Sequence, residues 1–175
     1  MRIGSISENK KIEKRIAVTP EIVKKYTSLG FEILLSENYG LHLGINDEQY
    51  SEFGAKFIKD ESEVLNSSDI IIQIGMFSDD KSSEIKENQT LIGILNPYEN
   101  NEKLQALVKK KINLFSLELL PRITRAQSMD ILSSQANLAG YKAVIESFAN
   151  FKKAIPMMMT AAGTIPAAKV LVVGA

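Results

Sequence analysis

Two nearly uninterrupted apolar runs, residues 69–74 and 90–95, place the strongest constraint on how this chain can fold. A strand that is apolar at almost every position must be covered on both faces, as happens inside a parallel sheet. Amphipathic segments alternate with such runs along the chain, and the connections between them are short. This pattern predicts an α/β fold, namely a Rossmann-like parallel sheet with helices on both faces.

The positions of the individual elements follow from periodicity and from residues that can cap a helix. We expect six strands, at residues 2–6, 31–35, 55–58, 69–74, 90–95 and 112–119. Helices should begin where Thr19, Asn46 and Asn101 can cap a helix start, with Pro20 as a first helical residue. A further short helix is expected over 61–66. These elements form one compact unit that ends near residue 130.

The last part of the chain reads as the approach to a second unit. We predict a long helix over 131–154, a loop over 156–166, and a buried strand that begins at residue 169 and runs into Gly174. The helix carries many small residues, which let another backbone come close, so we place it between two units and expect Tyr141 in a core. An apolar strand followed by glycine is also how a dinucleotide-binding βαβ unit begins.

Composition excludes several functional classes. The chain carries 21 basic and 21 acidic residues, so its charge does not indicate a nucleic acid or an anionic membrane surface as partner. It has no cysteine, which excludes disulfides and thiolate metal sites. Its single histidine, His42, is expected to be a loop residue with a satisfied hydrogen bond. No apolar run is long enough to insert into a membrane, and no metal site is expected.

A polar stretch lies between the last predicted strand of the first unit and the long helix. Residues 121–135 contain two arginines, two glutamines and an aspartate. A loop that serves only as a connector is usually short and needs no such polar variety. We therefore expect this stretch to carry function.

The same stretch resembles a known family. Residues 122–130, followed by Ser133, Asn137, Ala139, Gly140 and Tyr141, closely resemble the signature of alpha subunits of proton-translocating NAD(P) transhydrogenase, which belong to the alanine dehydrogenase and pyridine nucleotide transhydrogenase family. Residues 15–20 and 160–166 are similar to it too. The resemblance implies an N-terminal Rossmann-like domain over 1–130. Residues 131–175 would be the linking helix and the truncated start of a second Rossmann domain, which binds NAD.

The resemblance also implies a reaction. Such subunits bind NAD(H) and exchange a hydride with NADP(H) held on a partner beta subunit, and a membrane domain couples the exchange to proton translocation. The chain would then be cytoplasmic, peripheral to the inner membrane through the complex, and a homodimer. The loop before the linking helix would close over the nicotinamide ring. By itself, the fragment would be inactive.

By matching position, the resemblance assigns roles to particular residues. Arg122, Asp130 and Ser133 would contact the nicotinamide end of NAD(H), Gln127 would reach toward NADP(H), and Gly174 would begin the glycine-rich turn. The chemistry is reasonable, because a carboxamide offers one acceptor and one NH₂ donor, which arginine, aspartate and serine can match. Hydride transfer needs two rings held together without water, so no catalytic acid, base or nucleophile is expected.

Three alternatives remain open. Gln127 also fits a capping box that begins at Thr124. In alanine dehydrogenase, which shares this fold, a lysine and a histidine serve the keto-acid substrate. The matching position of the lysine here is Gln73, and near that of the histidine lie Asn96 and Pro97; none of these can exchange protons near neutral pH. Lysine is also usual in transhydrogenases at the position of Gln73. The third alternative is a non-catalytic interaction domain that keeps the fold.

The 175-residue chain should not bind NAD(H) measurably by itself. Dinucleotide affinity in this fold comes largely from a complete glycine-rich turn and the helix N-terminus behind it. Contacts to the nicotinamide ring alone must offset an association entropy of several kcal/mol. Calorimetric titration with NADH measures this, and a dissociation constant in the micromolar range would contradict our placement of the cofactor.

Overall fold

The computed structural model describes residues 1–174, and the chain divides into two compact units, Met1–Met129 and Asp130–Ala175. The first unit contains a six-stranded parallel sheet in the order β3-β2-β1-β4-β5-β6. The strands are β1 (Arg2–Ser5), β2 (Glu32–Ser36), β3 (Ala55–Ile58), β4 (Ile70–Ile72), β5 (Thr90–Gly93) and β6 (Asn113–Ser116). The predicted Rossmann-like parallel sheet is therefore confirmed.

Five α-helices and one short 3-10 helix lie between these strands, and two further 3-10 helices follow β6. The α-helices are α1 (Pro20–Ser28), α2 (Asp47–Ser51), α3 (Glu61–Ser67), α4 (Asp79–Glu84) and α5 (Asn101–Lys109). The 3-10 helices are Leu41–Leu43, Leu117–Leu119 and Thr124–Met129. Helix α4 was not predicted, because its sequence is polar throughout and buries no side chain.

The caps of these helices only partly match the predictions. Asn46 begins α2 with a full capping box, since its side chain accepts from the Gln49 N–H and the Gln49 side chain accepts from the Asn46 N–H. Thr19 precedes α1, but its hydroxyl makes no capping hydrogen bond. Helix α5 is preceded by Asn100 rather than capped by Asn101, and the Asn100 amide instead donates to the Leu95 carbonyl at 2.9 Å.

The sheet is covered on both faces because neighbouring residues of a strand point to opposite sides. In β2, Ile33 and Leu35 belong to one apolar cluster, which also contains Val23 of α1 and Tyr50 of α2. Leu34 belongs to the other cluster, together with Val64 and Leu65 of α3 and Leu104 and Leu107 of α5. Burial of both faces explains the continuous apolar runs in the sequence.

Several strands are shorter than predicted. β4 ends at Ile72 and β5 ends at Gly93, whereas the apolar runs continue to residues 74 and 95. β6 ends at Ser116, and a 3-10 helix takes up the remaining residues of the predicted strand. β6 lies at the edge of the sheet and pairs only with β5, so its ladder stops where the partner strand stops, at Gly93↔Ser116.

The second unit contains one long helix and one hairpin. Helix α6 (Ile131–Asn150) confirms the predicted helix, although it ends four residues earlier. The expected loop over 156–166 instead contains an antiparallel hairpin of β7 (Met158–Thr160) and β8 (Gly163–Ile165), so that prediction was wrong. Gly163 has φ +126°, a backbone region that favours glycine, which explains how so short a turn closes.

The predicted final strand is not formed. Residues 169–174 have no regular structure, and Ala175 lies outside the described residues. The side chains of residues 170–173 are between 70% and 89% exposed. An extended apolar segment forms a strand only where a neighbouring strand can pair with it.

Tyr141, expected in a core, is 70% exposed. Within residues 1–174 no helix is both long and apolar enough to cross a bilayer.

Gly93→Ala should destabilise the first unit by about 2 kcal/mol, the range found for overpacking a well-packed core. A methyl group on Gly93 would overlap the backbone carbonyl oxygen of Gln73, which cannot move without disturbing the pairing of β4 with β5. Gly75→Ala is the matched control, since its added carbon would meet only the Glu8 carboxylate at an ordinary 3.6 Å. Urea unfolding of both variants checks this, and equal effects would contradict the packing argument.

Candidate functional site

A crevice of about 780 Å³ opens at the carboxyl ends of β1, β4 and β5. The strand order reverses between β1 and β4, and open α/β sheets bind ligands at such a switch point. The walls come from residues 74–78, from Asn96 after β5, and from residues 7–15, which follow β1 and which we call the strap. This crevice is the site that the topology of the first unit favours for a ligand.

Gln73 forms part of the crevice wall, but its polar atoms are bonded to the backbone of the neighbouring strand. Its side chain is 3% exposed. Nε2 donates to the Ile6 carbonyl at 3.0 Å, and Oε1 accepts from the Ile6 N–H at 3.4 Å. The carboxamide thus joins the two chain segments two residues beyond the last β1–β4 pair, Gly4↔Ile71, and it also bonds to the Glu8 side chain. It has no proton to exchange near neutral pH, so its role is structural.

Glu8 places a carboxylate inside the crevice. Its Oε1 accepts a hydrogen bond from the Ile74 N–H at 2.6 Å and a longer one from the Gly75 N–H at 3.4 Å. Burial raises the pKa of Glu8 above its ordinary value of 4.5, and the hydrogen bonds from Ile74, Gln73 and Gly75 offset part of that effect. Glu8 was not among the predicted site residues, because it begins a run of charged residues that is typical of a loop.

The other charges around the crevice are also paired within the chain. Arg15 donates to Glu13, with Nη2 2.6 Å from Oε2 and Nε 2.9 Å from Oε1. The hydrogen bond from Arg15 holds the pKa of Glu13 below its ordinary value. The two lysines in the wall also lie near carboxylates: Lys103 is 2.8 Å from Asp79, and Lys81 is 3.5 Å from Glu61 and 3.6 Å from Glu84.

A buried tyrosine bonds to the two residues Ala17 and Val18, just beyond the end of the strap. The Tyr39 hydroxyl oxygen accepts from the Ala17 N–H at 3.1 Å and the Val18 N–H at 3.3 Å. With its lone pairs engaged, the hydroxyl donates to Ser5 Oγ at 2.8 Å. Burial raises the pKa of Tyr39 to about 12, so it stays protonated at neutral pH. No local pattern around Tyr39 predicted this contact across the sheet.

Neither Asn96 nor His42 supplies acid-base chemistry to the crevice. Asn96 lies at the rim with φ +45°, and its backbone N–H donates to Glu118 Oε1 at 2.6 Å. His42 lies in the 3-10 helix Leu41–Leu43, where Nε2 donates to the Lys14 carbonyl at 2.8 Å. The expectation of a histidine with a satisfied hydrogen bond is confirmed. Within residues 1–174 no cluster of three or more metal-ligating side chains gathers.

The residues expected to contact cofactors are divided between the two units. Arg122 and Gln127 belong to the first unit and are exposed, and Gln127 lies within the 3-10 helix Thr124–Met129. Gly174 belongs to the second unit and has φ +82°, a conformation that glycine adopts at no steric cost.

Asp130 and Ser133 are brought together at the start of α6. Asp130 caps the helix, since Oδ1 accepts from the Ser133 N–H at 2.9 Å and Oδ2 accepts from Ser133 Oγ at 2.8 Å. The two hydrogen bonds with Ser133 hold the carboxylate in one orientation. The contact of Asp130 and Ser133 with a cofactor stays a prediction.

Glu8→Gln and Glu13→Gln should change the pH dependence of stability in opposite directions. The folded chain binds the Glu8 proton more tightly than the unfolded chain does, so unfolding free energy falls as pH rises above 4.5 toward the raised pKa. Glutamine does not titrate and removes this loss, so the unfolding free energy of Glu8→Gln relative to the parent chain should grow with pH. The pKa of Glu13 is lowered, so its contribution is lost as pH falls, and Glu13→Gln should show the opposite trend. Urea unfolding at pH values from about 4 to about 7, which cover the titration of a glutamate, measures the unfolding free energy of both variants. Parallel pH profiles of the two variants would contradict the opposite pKa shifts of Glu8 and Glu13.

Comparison with known proteins identifies the relatives of this chain. The family model described as alanine dehydrogenase/PNT, N-terminal domain, matches residues 4–139. The chain is 43% identical, over 99% of its length, to an NAD(P) transhydrogenase subunit alpha of Rickettsia prowazekii, of which it covers 46%. It is 29% identical, over 80% of its length, to an alanine dehydrogenase of Methanococcus maripaludis, of which it covers 37%. The chain therefore spans about half or less of the length of these relatives.

A solved structure agrees with the similarity to transhydrogenase subunits. The crystal structure of a transhydrogenase from Sinorhizobium meliloti superimposes with a TM-score of 0.90 and 41% identity, over 96% of this chain and 50% of that one. The expected resemblance is thus confirmed across nearly the whole length. From the match over residues 4–139 and this likeness, we conclude that the chain belongs to the family of alanine dehydrogenase/PNT N-terminal domains.

Proposed function

We propose that this chain is part of the alpha subunit of an NAD(P) transhydrogenase, in which a hydride passes between NAD(H) and NADP(H). The observation that carries the proposal is the chemistry of the crevice. Gln73 and Asn96 stand at or near the positions where the resemblance to alanine dehydrogenase places a lysine and a histidine, and neither can exchange a proton near neutral pH. Direct hydride transfer between two nicotinamide rings needs no acid or base, whereas reduction of a keto acid does.

The nicotinamide end of NAD(H) fits the chemistry of Arg122, Asp130 and Ser133. The nicotinamide supplies the carbon that gives or accepts the hydride. The Arg122 guanidinium would donate to the carboxamide oxygen, and Asp130 would accept from the carboxamide NH₂. Asp130 Oδ1 accepts from the Ser133 N–H and Oδ2 from Ser133 Oγ, so the carboxylate is held in one orientation at the start of α6. A carboxylate already oriented by its cap loses less entropy when it binds.

Gln127 would serve the other nucleotide. Its side chain is exposed on the 3-10 helix Thr124–Met129, where an amide can reach a molecule held by another protein. The helix is of the 3-10 type, which does not provide the α-helical first turn that the alternative capping box requires. We assign Gln127 to the NADP(H) side of the reaction and Gly174 to the start of the pyrophosphate-binding turn.

The rest of the assembly follows from the same proposal. NADP(H) would be held by a beta subunit, and a membrane domain would couple hydride transfer to proton translocation. The alpha subunit would act as a homodimer, peripheral to the inner membrane on its cytoplasmic side. Similarity to transhydrogenase alpha subunits along 99% of the chain supports this arrangement.

An alanine dehydrogenase-like reaction is the second candidate. The raised pKa of Glu8, inside a crevice of about 780 Å³, is the observation that favours it. However, the Glu8 carboxylate already accepts from two backbone amides, and Arg15 is paired with Glu13. The lower identity to an alanine dehydrogenase also favours the transhydrogenase.

Substitution of Asp130 separates binding from capping. Asparagine caps helices as well as aspartate does, so Asp130→Asn should leave the melting temperature nearly unchanged. It removes the negative charge, and we expect hydride transfer to fall about tenfold, since hydrogen bonds to ionised acceptors are stronger. Asp130→Ala should lower both transfer and stability, the latter by about 1 kcal/mol.

The measurement is reduction of an NADP analogue by NADH, using the complete alpha subunit with its beta subunit. An unchanged rate of hydride transfer in Asp130→Asn would mean that Asp130 serves only as a helix cap. Alanine-dependent NAD reduction by the complete alpha subunit alone would overturn the proposed reaction itself.

A further inference from the structure

The Ile74 N–H lies where the sheet would otherwise leave it without a partner. β4 ends at Ile72, but the next two residues still bond to the β5 side: the Gln73 N–H donates to the Ile92 carbonyl, and the Ile74 carbonyl accepts from the Ile94 N–H. The Ile74 N–H donates instead to the Glu8 side chain. β1 has already ended at Ser5, and its pairing with β4 reaches only Gly4↔Ile71. A buried N–H without an acceptor would cost free energy, and here Glu8 supplies the acceptor.

The contact has the geometry of a bound anion. Two successive backbone amides, those of Ile74 and Gly75, converge on Oε1 of Glu8. Consecutive N–H groups of this kind form concave anion sites in many proteins. Gly75 adds no side chain, and a carbon placed there would sit 3.6 Å from Glu8 Oε2, so the second carboxylate oxygen has room. The hydrogen bond at 2.6 Å is short, as expected when the acceptor is ionised.

We propose that Glu8 is a built-in ligand, which fills a carboxylate-binding site formed by the Ile74 and Gly75 amides and thereby fastens the strap along the crevice. The site takes a small monocarboxylate when Glu8 is removed. This inference does not rest on the proposed hydride transfer, since it concerns only backbone amides and one side chain of the first unit.

The strap is tethered on both sides of this contact. At its start, the Ser7 N–H donates to Ser36 Oγ at 3.0 Å. Near its end, the Lys14 carbonyl accepts from His42 at 2.8 Å. Glu8 joins the strap to the end of β4 between these two anchors. Because the anchors hold Glu8 close to the amides, its effective concentration there is high, and a free carboxylate competes poorly with it.

The test uses the full 175-residue chain with Glu8→Ala, titrated with sodium formate at pH 7, and sodium chloride as the control for ionic strength. The readouts are the ¹⁵N–¹H NMR shifts of the Ile74 and Gly75 amides and the melting temperature. We expect saturable shifts at these two amides and a melting temperature that rises with formate but not with chloride. The unsubstituted chain and Glu8→Gln, which keeps an acceptor, should respond to neither salt.

Glu13→Ala is the matched control, because Glu13 lies on the same strap and bonds to Arg15 rather than to these amides. It should gain no response to formate. A Glu8→Ala chain that shows no formate-specific shift at Ile74 and Gly75 overturns the proposal, and so does an equal response of Glu13→Ala. If Glu8→Ala is unfolded in buffer, formate should restore its folded spectrum. Failure to do so, while Glu8→Gln folds, counts against the anion site.

Discussion

The pairing of β1 with β4 is the contact on which the first unit depends. It is short, with only Ile3↔Ile70 and Gly4↔Ile71 in register, yet it joins the β3-β2-β1 half of the sheet to the β4-β5-β6 half. Gly4 makes it possible, because any side chain there would overlap Ser68 Oγ at the end of α3. From this seam the chain adds β2 and β3 on one side and β5 and β6 on the other. The helices that follow β1 and β4 therefore lie on opposite faces of the sheet, and a crevice opens between them at the carboxyl ends of the strands.

Side chains continue the seam where the backbone ladder stops. Gln73 bonds to Ile6, and Glu8 bonds to Ile74 and Gly75, so one amide and one carboxylate replace the hydrogen bonds of a missing strand end. These polar atoms would be costly to leave unpaired in a buried place. The crevice is thus organised by hydrogen bonds within the chain, and Gln73 and Glu8 make these bonds at the switch point where open α/β sheets bind ligands.

The polar segment between the two units has a different character. Arg122 and Gln127 are exposed, and Asp130 and Ser133 form a cap that orients a carboxylate at the start of α6. Oriented donors and acceptors, rather than shifted acid-base groups, suit a reaction whose chemistry belongs to the cofactors. The contrast between this segment and the internally bonded crevice is the physical basis for preferring hydride transfer between nucleotides over keto-acid reduction.

The sequence by itself determined the parallel sheet, the start of α2, the position of α6 and the family, because these depend on apolar runs, local caps and a continuous polar signature. It predicted too long a strand for β6 and a final strand that does not form, since a strand needs a neighbour to pair with as well as residues of high β-propensity. Only the tertiary structure showed that Glu8 meets Ile74, 66 residues away, and that Tyr39 holds Ala17 and Val18. Such contacts are decided by where strands end in space, which no local pattern records.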